Sequence, residues 1–243
     1  MIIPSSVIKI DYLAFNNNKL TSIKIPDGVI QIGNAAFSDN QLTSIEIPNN
    51  LKKINRYTFS GNQLTSIVIP DSVTEIGEGA FNHNKLSDAQ AFIYKRTDVD
   101  NDGIAEIDNT NIIGYGGKNT EVVIPNNVTI ISDDAFSANQ LTSIVISDSV
   151  TEIGAFAFNG NQLKNIIIGN GIKYIGEAAF KKNSFNNPDL SKITINKSCS
   201  DIKNIPRSNT DTNKSYPWLS SGSPYKASGV TIYGSNNEVC DSY

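Results

Sequence analysis

Apolar positions along this chain recur every 22 residues: Phe15, Phe37, Phe59 and Phe81 keep that step, and Phe136, Phe158 and Phe180 resume it. A fixed period of this length predicts stacked supersecondary units, a solenoid. The clearest unit, NQLTSIEIPNNLKKINRYTF from Asn40, recurs with variations from Asn18, Asn62, Asn139 and Asn161. Each unit opens on L-x-x-I-x-I, as in Leu42, Ile45 and Ile47. Apolar, mostly β-branched residues spaced by two predict a short strand, with Ile45 and Ile47 on one face and Ser44 and Glu46 on the other. One such strand per coil predicts a parallel sheet.

Pro26, Pro48, Pro70 and Pro125 close the strand, where a residue without an N–H does least harm to a ladder. A polar turn follows, then a second apolar set such as Val73 and Ile76, then Gly77. Ala80 and Phe81 end the unit on a short helical or irregular return. Phenylalanine fills the wide end of each coil, and alanine lets neighbouring coils approach. One unit cannot bury this face alone, whereas several stacked units bury it continuously. Asn18, Asn40, Asn62, Asn84, Asn139, Asn161 and Asn183 precede each strand. A carboxamide carries donors and an acceptor, so a buried column of them is expected to satisfy free backbone groups of successive coils.

The strand register exposes Thr21, Ser22 and Lys24, then Thr43, Ser44 and Glu46, then Thr65, Ser66 and Val68. Further along it exposes Thr142, Ser143 and Val145, then Lys164, Asn165 and Ile167, then Ser191, Lys192 and Thr194. The hydroxyl columns follow from strand propensity and cross-strand bonding. Val68, Val145 and Ile167 place apolar side chains on a wet face. With Glu46, Lys24 and Lys164 around them, they form the candidate surface for a protein partner. The alternative is that another part of the chain folds over them.

The interruptions of the period hold what chemistry there is. Phe81 and Phe136 are 55 residues apart, 33 more than one period. The extra segment contains Phe92-Ile93-Tyr94 and Ile112-Ile113-Gly114-Tyr115, two apolar runs able to pair as a hairpin. Between them, Asp98, Asp100, Asp102 and Gly103 match the opening of a calcium loop. There the Ile104 carbonyl, Glu106 and Asp108 are further candidate ligands. The twelfth loop position is Asn109 where an EF-hand has glutamate, so the shorter D-x-D-x-D-G loops are the better comparison. The competing reading is a solvated acidic hairpin tip without an ion. Ile168 and Ile195 are 27 residues apart, with Phe185–Asp189 expected to bulge before Leu190, Ile193 and Ile195 restore a strand. Beyond them Tyr216, Trp218, Tyr225 and Val230–Tyr233 are expected to build a cap over the last coil. Cys199 and Cys240 lie in this polar region. A disulfide between them would contribute roughly 4 kcal/mol in the chain-entropy model, and two buried thiols are the alternative.

The I-P strand ending, the V-x-x-I-G step and the A-F close together resemble the BspA-like leucine-rich repeat family over about residues 2–197. Many of that family carry cysteine where this chain has its asparagine column. The resemblance implies a bacterial or protist surface or secreted protein used in adhesion, with no catalytic or ligand residues to carry over. The expected fold is an α/β solenoid, a right-handed leucine-rich repeat with a parallel concave sheet. Its parts would be a first repeat block at 1–90, an insertion at 91–121, a second block at 122–197 and a C-terminal cap at 198–243.

Bulk properties narrow the partners. A net charge of −4 with no basic stripe argues against nucleic acid. No apolar run is long enough for a transmembrane helix. Met1-Ile2-Ile3-Pro4 enters in mid-repeat, which reads as a fragment or processed form, or as a worn first strand. His83 is the single histidine and occupies a variable repeat position, filled by Asp39 and Gly61 in neighbouring units. No nucleophile elbow, Walker loop or zinc-binding motif occurs. The expectation is therefore a non-catalytic extracellular or cell-surface protein that binds a host or neighbouring-cell protein. A structural stalk without a specific ligand is the alternative.

Overall fold

The computed structural model describes residues 2–97, 106–181, 183, 192–198, 231–233 and 239–242. The chain forms two compact units, Met1–Lys118 and Asn119–Tyr243. Each is a β-solenoid in which equivalent residues of neighbouring coils pair at the 22-residue period.

In the first unit the paired strands are β1 (Lys9–Ile10), β2 (Gln31–Ile32), β3 (Lys53–Ile54) and β4 (Glu75–Ile76), joined in parallel as β1–β2 and β3–β4. These strands lie on the second apolar set of each repeat. The ladder expected at L-x-x-I-x-I is absent among the described residues of this unit. Contact there is held at its start, by the Gln41 N–H to the Leu20 carbonyl (2.9 Å) and the Gln63 N–H to that of Leu42 (2.9 Å). Each of these segments runs into Pro26, Pro48 or Pro70, which has no N–H to continue the pairing. The side-chain alternation survives without the ladder: Ile23, Ile25, Ile45, Ile47 and Ile67 are buried, while Ser22, Lys24, Ser44, Glu46, Ser66 and Val68 are exposed.

The return is not helical. Among the described residues the helical content is one 3-10 turn, Asp88–Gln90, so the α/β class gives way to an all-β one. The cause is local backbone geometry. Phe15, Phe37, Phe59, Phe81, Phe136 and Phe158 each sit between two left-handed positions, as in Ala35 and Asp39 (φ 53° and 55°) or Tyr57 and Gly61 (φ 56° and 66°). Two such residues per return cannot continue a right-handed helix. His83 (φ 60°) occupies the same left-handed slot as Asp39 and Gly61. The phenylalanine N–H instead reaches the next coil: Phe37 donates to Thr58 O (2.9 Å) and Phe59 to Ala80 O (2.8 Å).

This path stacks the rings. Phe15, Phe37, Phe59 and Phe81 lie with centroids 5.2, 5.6 and 5.6 Å apart and nearly parallel. Beside them runs the asparagine column. Asn62 donates to Phe37 O (2.9 Å) in the preceding coil and to Phe59 O (3.1 Å) in its own, and accepts from the Leu42 N–H (3.0 Å). Asn40 and Asn84 repeat the arrangement. The close approach assigned to alanine is shared by glycine: a Cβ on Gly77 would stand 2.5 Å from the Arg56 backbone nitrogen of the coil before.

The inserted segment completes the first unit. β5 (Phe92–Thr97) and β6 (Glu106–Tyr115) pair antiparallel, as the two apolar runs predicted. Register shifts fall at Tyr94 and Lys95. The end of β6 continues the stack, since Ile113 O accepts from the Gly79 N–H (3.0 Å) and the Tyr115 N–H donates to Asn82 Oδ1 (2.9 Å). Ile113 and Tyr115 are buried there.

The second unit has two ladders. β8 (Ile130–Ile131), β10 (Glu152–Ile153) and β12 (Tyr174–Ile175) pair in parallel on the second apolar set. β7 (Glu121–Val123), β9 (Ser143–Ile146), β11 (Asn165–Ile168) and β13 (Lys192–Ile195) form the parallel sheet expected at L-x-x-I-x-I. Ser147 and Gly169 here replace the strand-ending proline, and the Gly169 N–H extends the ladder to Ile146 O (2.9 Å). β14 (Thr231–Tyr233) adds in parallel to β13, and β15 (Val239–Ser242) adds antiparallel to β14. Phe136, Phe158 and Phe180 stack at 4.9 and 5.2 Å, and Asn161 and Asn183 bridge their carbonyls.

Candidate functional site

The outward face of the second unit's sheet is set by its register. Val122, Ile144, Ile166 and Ile193 point inward and are buried. The residues one step further along the strands point outward. Val123 stands opposite Val145, Val145 opposite Ile167, and Ile167 opposite Thr194. Neighbouring strands lie about 4.8 Å apart, so these side chains form one column. Val123 is 66% exposed and Ile167 41%, while Val145 between them is half-buried. Glu121, Ser143 and Asn165 make the polar column beside it, and Lys164 is exposed next to Asn165. Three apolar side chains edged by polar ones thus lie together on a hydrogen-bonded sheet.

The other predicted surface residues belong to the first unit. Lys24, Glu46 and Val68 hold one repeat position in successive coils and are all exposed, Val68 by 80%. With a cation, an anion and a valine in sequence, this face is charged where the second unit's is apolar. Val145 and Ile167 are neighbours as their repeat positions imply, and Val123 joins them without having been expected there. In Val122-Val123-Ile124 every residue is apolar, so alternation is hidden, and pairing with β9 was the missing signal.

The calcium-loop residues Asp98, Asp100, Asp102 and Ile104 lie outside the described residues. Glu106 opens β6. Asp108 accepts from the Thr110 N–H (3.0 Å) and hydroxyl (2.6 Å) through Oδ1. Among the described residues no three His, Cys, Asp or Glu side chains cluster closely enough to hold a metal ion. Cys199, Tyr216, Trp218, Tyr225 and the 185–190 segment also lie outside the described residues, so the disulfide and the plug expected of Trp218 rest on sequence alone. No helix among the described residues is long and apolar enough to cross a membrane.

A second feature has no signature in the repeat. Where the first unit's repeats meet the hairpin, a cavity of about 240 Å³ is lined mainly by isoleucines, with Arg96 of β5 among them. Gln90 stands there in place of a next strand: its side-chain amide donates to Ile67 O (2.8 Å) and accepts from the Ile67 N–H (3.3 Å).

Comparisons with known proteins agree with this architecture. Residues 1–98 and 115–215 match the family described as BspA type leucine rich repeat region, in six copies. The crystal structure of a leucine-rich repeat protein from Eubacterium ventriosum is similar at a TM-score of 0.60 and 26% identity, covering 79% of this chain and 52% of that one. That of the pneumococcal vaccine antigen PcpA is similar in fold at a TM-score of 0.53 and 22% identity, covering 78% of this chain and 54% of that one. The chain thus spans about half the length of both solved proteins. No curated protein matches it.

Proposed function

This chain belongs to the BspA-type leucine-rich repeat family, and from that premise we propose that it is a non-catalytic binding protein of the cell surface or the secreted fraction. Its partner would be a protein, of the kind found in a host extracellular matrix or on a host cell. The observation that carries the reading is the in-register column Val123–Val145–Ile167 on the outward face of the parallel sheet, with Val123 on its edge strand β7. Side chains at these positions contribute little to the interior and gain from being covered. Val68, Lys24 and Glu46 supply a second exposed set in the first unit. A structural stalk, the alternative role, would leave these residues without a partner.

The test is capture of purified extracellular-matrix proteins on the immobilised chain by surface plasmon resonance. A V123T/V145T/I167T variant is expected to lose at least tenfold in affinity for any protein captured, about 1.4 kcal/mol. Equal capture by the variant would remove this face as the site, and no capture at all would favour the stalk.

Calcium at the inserted loop forms part of the same proposal, resting on the order Asp98, Asp100, Asp102, Gly103. The ion would hold the hairpin tip rigid. Calorimetry is expected to show saturable heat on adding calcium at millimolar concentration or below, and a higher melting temperature. Neither heat nor a shift would reduce the loop to a solvated acidic tip.

A further inference from the structure

We propose that the cavity under the hairpin binds a small apolar molecule carrying one carboxylate. Its walls are Ile67, Ile69 and Ile76 from the repeats and Ile93, Tyr94 and Ile107 from the hairpin. Arg96 lines the same space and is only 9% exposed. Its Nη1 donates to the carbonyls of Pro70 (3.2 Å) and Val73 (3.4 Å), and its Nε, buried as well, has no hydrogen-bond partner. Among the described residues no carboxylate pairs with it.

A guanidinium held among isoleucines by two neutral carbonyls is costly to bury, and a carboxylate is the group that best relieves that cost. The planar guanidinium of arginine suits charge-assisted bonding to a carboxylate. The five isoleucines select an apolar body for the same ligand. Gln90 does not compete for the carboxylate, because its amide is engaged by the Ile67 backbone. The volume lies between the roughly 150 Å³ that admits benzene and the roughly 300 Å³ at the lower end of drug-sized sites. A medium-chain fatty acid such as octanoate is of this class. Ile107, paired with Arg96 across the hairpin and 59% exposed, marks the rim.

The experiment titrates the full chain with octanoate and, separately, with octanol, followed by calorimetry and by the arginine Nε–H resonances in nuclear magnetic resonance. Octanoate is expected to bind saturably at one site and to shift one buried Nε–H resonance. Octanol is expected to bind at least tenfold more weakly. R96Q should lose the preference for octanoate. I107D, a change at the exposed rim, should weaken octanoate at least tenfold while leaving the melting temperature close to that of the parent. If R96Q does not fold, I107D and the octanoate-to-octanol ratio decide. Absence of saturable octanoate binding would overturn the proposal, as when one of the chain's own aspartates already holds Arg96. Equal binding of acid and alcohol, or octanoate binding unchanged in I107D, would overturn it as well.

Discussion

Replacing Asn62 with alanine will destabilise the first unit by about 3–5 kcal/mol. The side chain is buried, and it bonds Leu42 and Phe37 of the preceding coil as well as Phe59 of its own. Removing it leaves the Leu42 N–H with no acceptor inside the stack, which alone costs about 1–3 kcal/mol. Phe37 O and Phe59 O keep one asparagine each, Asn40 and Asn84, so each loses part of its bonding rather than all of it. Asn62→Asp should be no better at neutral pH. It preserves the acceptor for Leu42 but turns a carboxylate oxygen toward two carbonyl oxygens. Asn18→Ala is the control: Asn18 is exposed and bonds only the Phe15 and Asn16 carbonyls of its own coil, so the change should cost less than about 1 kcal/mol. Chemical denaturation of the three variants checks the order. An Asn62→Ala protein as stable as Asn18→Ala would show that the column is decorative.

Replacing Phe59 with alanine is expected to cost a similar amount, about 3–5 kcal/mol, for a different reason. Phe59 is fully buried between Phe37 and Phe81, with centroids 5.6 Å from each. The coils on either side are held apart by their own inter-coil hydrogen bonds, such as Phe37 N–H to Thr58 O, so they cannot close over the space. The loss therefore includes a cavity as well as transferred surface. Phe15 has one ring neighbour and is half-buried, and Phe15→Ala should cost about half as much or less. Coils interact mainly with their neighbours in a solenoid. The Phe59 variant should thus unfold its first unit at lower denaturant while the phenylalanine stack of the second unit keeps its protection from hydrogen exchange. Loss of protection in both units together would show that they fold as one cooperative body.

Much of this interior was legible because it repeats. A phenylalanine or asparagine that returns at a fixed step can be assigned to the stack without knowing its contacts, and the inward and outward faces follow from alternation. The return path was not legible. Leu13, Tyr57 and Phe156 adopt left-handed backbone (φ 56–57°), a conformation such side chains seldom choose alone. The stack imposes it, and a propensity-based reading drifts toward helix. The uneven sheet was half legible. The prolines were seen to end strands, but their repetition in every coil of the first block weakens the whole ladder there, whereas Ser147 and Gly169 free it in the second. Val145 and Ile167 could be placed side by side on the outward face because the repeat gave their register. Val123 sits where the pattern resumes and Arg96 sits within the insertion, and neither has a repeat neighbour to reveal its environment.

A repeating interior holds the fold, and the outward column is the surface proposed to meet a partner. The most direct measurement is the dissociation constant of the V123T/V145T/I167T protein for a matrix protein captured by the parent chain, at a temperature where both are folded. Threonine already occupies the column at position 194, so the substitutions suit the sheet. At least tenfold weaker binding with an unchanged melting curve is the predicted result. Unchanged affinity would contradict the account.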